Sequence, residues 1–152
     1  MGKSINWPVG VSGKGNAGVT ALLRQTPGAI GYVEYAYAQQ THMPMALLQN
    51  KSGTYVKAEL ASGQAALAGV AIPADLRAWL PDPPGAQAYP IVTYTWLLAY
   101  KKYGKPEVAS HLRAVVNYGL TDAQKFSAEL GYIPLPAEVV AAVSKALEQI
   151  NP

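Results

Sequence analysis

The sequence predicts an α/β fold in which helices cover a sheet. Three observations carry that reading. A glycine-rich turn joins an extended segment to an amphipathic helix early in the chain. Residues 91–100 (IVTYTWLLAY) are rich in β-branched and aromatic side chains, the profile of a buried strand. Helix-period stretches then occupy most of the remaining chain. With 152 residues, half of them hydrophobic, the chain can build one compact core or two small lobes.

Taken in order, residues 5–11 read as extended, because Pro8 biases Trp7 toward the β region. The turn at residues 12–16 opens a helix in which Val19, Leu22 and Leu23 recur at the spacing of one buried face. Pro27 and Gly28 stop it. Residues 29–33 form a short apolar strand, and residues 34–40 a helical turn or two in which Tyr35 and Tyr37 pack. Residues 45–48 and 54–58 suggest a hairpin around Asn50-Lys51-Ser52-Gly53, a cluster of turn formers. Helix resumes near Glu59 and fades at Gly69.

Pro81, Pro83 and Pro84, followed by Gly85, cannot sit inside a helix or a central strand and mark a linker. Residues 91–100 then read as a central strand. Helices are expected over 106–118, 121–130 and 137–149, the last two separated by Pro134 and Pro136. Thr121 is a candidate N-cap, with Gln124 closing a capping box.

Composition excludes several classes of function. The net charge of +3 comes from scattered Lys and Arg, with only Lys101 and Lys102 adjacent, which is no nucleic-acid footprint. Absence of cysteine excludes disulfides, thiolate metal sites and cysteine nucleophiles. No apolar run reaches the roughly 20 residues of a membrane span. Residues 1–8 lack the apolar core of a signal peptide, so the sequence as it stands predicts no export address. His42 and His111 lack a carboxylate or second histidine at ligand spacing. No Gly-x-Ser-x-Gly elbow occurs, and Ser12, Ser62 and Ser110 have no partner set. The expectation is a non-enzyme with no metal and no cofactor.

The glycine block bears the chemistry. A helix N-terminus exposes unpaired N–H groups and partial positive charge, so Ser12, Gly13, Lys14, Gly15 and Asn16 are candidate anion-binding residues, with Lys14 adding a full charge. A nucleotide P-loop fails on spacing, because it needs glycine where Pro8 stands and Ser or Thr where Gly15 stands. Gly13, Gly15 and Gly18 also spell the dinucleotide fingerprint, with Glu34 as the acidic residue beyond the next strand. Pro8 in the first strand, and no second nucleotide-binding half after Pro81, count against that alternative. A third reading is architectural: the glycines make a tight strand-to-helix turn and allow close approach of backbone.

Residues 7–38 (WPVGVSGKGNAGVTALLRQTPGAIGYVEYAYA) resemble the corresponding stretch of the periplasmic phosphate-binding proteins of phosphate ABC transporters. The resemblance continues at residues 50–56 (NKSGTYV), 89–93 (YPIVT) and 132–136 (YIPLP). It implies part of a type II periplasmic-binding-protein fold, the C-terminal half of a two-lobed receptor. Residues 1–85 would be the later part of the second lobe, and residues 86–152 the hinge return strand and C-terminal helices completing the first. It also implies inorganic phosphate as ligand, the transporter's membrane permease as partner, and a periplasmic or cell-surface location.

The family's phosphate-gripping motifs normally precede the WPxG segment. Ser52-Gly53-Thr54 follows it here with no Arg shortly before, so it reads as a turn, and Arg24, Arg77 and Arg113 stand in other contexts. A half receptor of this kind is expected to repack, to swap elements in a homo-oligomer, or to pair with its missing N-terminal half. The alternative is a half-size structural, self-associating fragment without strong phosphate binding.

Overall fold

A computed structural model describes residues 7–68 and 70–151, which fall into two compact units, Met1–Pro44 and Met45–Pro152. The first two residues of the extended segment expected over 5–11, and Gly69 where helix was expected to fade, lie outside the described residues.

In the first unit, helix α1 (Gly15–Gln25) carries the expected Val19, Leu22 and Leu23 on its partly covered side. Arg24 in its last turn complements the negative end of the helix dipole. The chain reverses through Gly28 (φ 80°) and enters helix α2 (Tyr35–Gln40), which packs against α1 and buries Ala36 and Ala38. Residues 29–33, expected as a strand, form no ladder. Ile30 is 99% exposed, because strand pairing needs a second backbone and no described segment supplies one.

The second unit begins with the expected hairpin, shortened to β1 (Leu48–Gln49) paired antiparallel with β2 (Tyr55–Val56). Helix α3 (Leu60–Leu67) follows. Ser62 fixes its start: its Oγ accepts from the Glu59 N–H at 3.2 Å and donates to the Lys57 carbonyl at 2.6 Å. Gly63 leaves the space that Ile133 fills. Leu76 is then held at φ 60°, a left-handed conformation that strains a branched side chain. Asp75 accepts from the Arg77 backbone N–H and from its guanidinium, and the Trp96 indole donates to the Leu76 carbonyl at 3.0 Å. Trp96 also tilts against Trp79, with ring centroids 5.2 Å apart.

The proline segment is not a free linker. Pro81 and Ile91 bridge antiparallel at its base, and the Asp82 N–H donates to the Pro90 carbonyl at 3.2 Å. Inside the loop, the buried Asn50 side chain donates to the carbonyls of Gly85, Ala86 and Ala88 at 3.0–3.1 Å. Its Oδ1 accepts from the N–H groups of Ser52 and Thr54, both at 3.1 Å. Prolines forbid regular structure here, yet a buried side chain supplies the bonds that a ladder would have made.

Residues 91–100, expected as a central strand, have no ladder partner among the described residues beyond the bridge at Ile91. Exposure alternates from 91 to 97, with Val92, Tyr94 and Trp96 half-covered. The strand pattern is present, and its sheet is not. Helix α4 (Pro106–Leu120) packs against α5 (Ala137–Leu147), and residues 101–103 pair with Asn151 to close the unit.

The helix expected over 121–130 is a 3-10 segment, Asp122–Phe126, and the expected capping box does not form. The Thr121 hydroxyl donates back to the Asn117 carbonyl at 2.8 Å. The Gln124 carboxamide instead donates to the Gly119 carbonyl at 2.6 Å and accepts from the Leu135 N–H at 2.8 Å, tying the end of α4 to the segment before α5. Mixed helix and strand content agrees with the α/β class, but the expected helix-covered sheet is reduced here to a two-residue hairpin ladder.

Two outcomes follow from these bonds. Asn50→Asp keeps the acceptor but loses the donors and sets a charge among carbonyls, so urea unfolding should show a loss of about 3 kcal/mol or more. Arg77, through its backbone N–H first and its guanidinium next, holds the Asp75 carboxyl below its ordinary value of 3.8. The contribution of this contact is therefore present above that value and lost as pH falls below it through the lowered one. Acid titration of tryptophan fluorescence should show a step below pH 3.8 that disappears in Asp75→Asn.

Candidate functional site

The candidate anion turn is built by close packing of backbone. Lys14 caps α1 in an extended conformation, and the first helical bond runs from the Gly18 N–H to the Lys14 carbonyl at 3.2 Å. The N–H groups of Gly15, Asn16 and Ala17 thus precede the helical ladder. Gly15 sits at φ 63°. A Cβ on Gly13 would lie 2.5 Å from the Val19 backbone nitrogen, and one on Gly18 would lie 3.3 Å from the Gly13 carbonyl carbon. Gly13 and Gly18 are therefore glycine because the turn rests directly on the first turn of α1.

Asn16 is committed within the unit. Its Oδ1 accepts from the Glu34 N–H at 3.0 Å, and its Nδ2 donates to the Glu34 carboxylate at 3.5 Å. This two-point clasp joins the start of α1 to the N-cap of α2 and brings a native carboxylate to the first turn of α1. The acidic residue that the dinucleotide fingerprint requires is thereby engaged with the fingerprint's own turn. Ser12 and Lys14 are exposed. Of the five sequence candidates, Ser12 and Lys14 offer side chains to solvent, Gly13 and Gly15 shape the backbone, and Asn16 holds Glu34.

The other candidates separate. The N–H groups of Ser52 and Thr54 are spent on Asn50, so Ser52-Gly53-Thr54 is a structural turn. Arg24 lies on α1, Arg77 pairs with Asp75 at 2.8 Å, and Arg113 lines a shallow groove with Asn117, Ser144 and Glu148. His42 terminates α2 at φ 54°, and His111 is exposed on α4. Among the described residues no group of three His, Cys, Asp or Glu side chains is placed to hold a metal, and no helix is long and apolar enough to cross a membrane. Sequence reasoning missed the Asn16–Glu34 clasp, because nothing in the spacing of 18 residues announces a contact.

A family model described as the PBP superfamily domain matches residues 5–123. The chain belongs to the PBP superfamily. Within that superfamily it is similar to the phosphate-binding protein PstS of Methanocaldococcus jannaschii, at 37% identity over 99% of this chain and 43% of the relative. It is similar to PstS of Pasteurella multocida at 35% identity over 94% of this chain and 42% of the relative. It is also similar to PstS3 of Mycobacterium bovis at 32% identity over 98% of this chain and 42% of the relative. The likeness to phosphate-binding proteins read from residues 7–38 thus extends along nearly all of this PBP-superfamily chain, while the chain spans about two fifths of the length of those relatives.

The packing of the turn makes a direct prediction. Gly13→Ala forces a methyl onto the α1 backbone and should cost about 1–3 kcal/mol in a thermal or urea melt. Lys14→Ala, on an exposed side chain, should leave the same melt within about 0.5 kcal/mol of the parent.

Proposed function

We propose that this chain is the C-terminal portion of a two-lobed phosphate receptor serving a phosphate ABC transporter. In this reading residues 1–85 supply the later part of the second lobe, and residues 86–152 the return strand and closing helices of the first. One observation carries it. The segments with strand-type sequence, 7–11, 29–33 and 91–100, lie without ladder partners among the described residues and expose Val9, Ile30 and Leu98. Edges of that kind require pairing. Relatives named as phosphate-binding proteins, more than twice as long, have the additional chain that could provide it.

The receptor captures inorganic phosphate between its lobes and closes about the crossing between them. Backbone N–H groups and side-chain donors replace the water around the anion. The chief grip comes from the remainder of the receptor, because the Ser-Gly-Thr turn present here has spent its amides on Asn50. At the 12–16 turn, the Lys14 ammonium, the Ser12 hydroxyl and the Gly15 N–H add attraction, opposed by the nearby Glu34 carboxylate. The loaded receptor presents phosphate to the membrane permease at a periplasmic or cell-surface location. No cofactor or nucleic acid takes part.

Isothermal titration with inorganic phosphate tests the reading on this chain alone and on this chain combined with the N-terminal portion of the Pasteurella relative. The combination should bind at micromolar phosphate and the chain alone should not. Lys14→Ala in the combination should weaken binding by no more than about tenfold, the size of an exposed charge contact. Micromolar binding by the monomeric chain would overturn the assignment of the grip, and silence from both samples would favour a self-associating fragment.

A further inference from the structure

We draw no further inference here: the strongest candidate, the apolar groove of about 390 Å³ between α3 and residues 133–136, lined by Leu67, Ile133, Leu135 and Glu138, carries nothing because nothing in the structure shows what covers it.

Discussion

The second unit depends on one buried carboxamide. Asn50 is 5% exposed, and both ends of its side chain are used: the nitrogen against three carbonyls of the proline loop, the oxygen against two amides of the hairpin turn. Of those five backbone groups only the Gly85 carbonyl has another described partner within its own segment, the Ala88 N–H at 3.1 Å. The loop is barred from a ladder by its prolines, and the turn closes the Gly53 N–H on the Asn50 carbonyl but leaves the Ser52 and Thr54 amides to the Asn50 side chain. Asparagine meets the need because it carries donors and an acceptor on one short stem. Aspartate lacks the donors, and an apolar residue would leave the carbonyl of the buried Ala88 unpaired.

From that joint the neighbouring elements take their places. The Tyr89 N–H donates to the Ser62 carbonyl and links the fixed loop to α3, whose own start Ser62 also secures. The Asp82 N–H bonds the Pro90 carbonyl, and its carboxylate accepts from the Lys51 N–H. Residues 91–100 therefore leave a rigid base in a defined direction. Trp96 then pins the far part of the segment to the strained Leu76 turn. The segment keeps the alternating exposure of a strand from 91 to 97 without a sheet, held at Ile91 by its bridge and at Trp96 by its indole bond.

The glycine block shows how one pattern can serve several physical demands. Gly13 and Gly18 are dictated by contact between the turn and the helix backbone, and Gly15 by a positive φ. Those requirements are architectural and would hold whatever the turn binds. The Asn16–Glu34 clasp adds an electrostatic one, a carboxylate at the positive end of α1. Membership in the PBP superfamily explains why the whole block reads as a signature, since a fold-determining turn and a recognition turn leave similar marks in sequence.

Much was legible before any coordinates. The apolar period of α1, the Pro27-Gly28 stop, the turn formers at 50–53 and Pro136 before the last helix each act through local sterics and propensity, and each lies where expected. The likeness to phosphate-binding proteins was equally plain, because it rests on strings of residues and needs no geometry. What local reasoning could not supply was partnership. It could recognise 29–33 and 91–100 as strand-like, but pairing is a property of two backbones, and neither finds a ladder among the described residues. It read the proline loop as a linker because the bonds that fix it come from Asn50, 35 and more residues earlier in the chain. It assigned Gln124 to a capping box because the competing bonds, to Gly119 and Leu135, arise only once α4 and the segment before α5 are brought together. Composition and spacing determined the local elements, and matching strings of residues the lineage; long-range hydrogen bonds decided which polar groups remain available for a ligand and which are already spent on the fold.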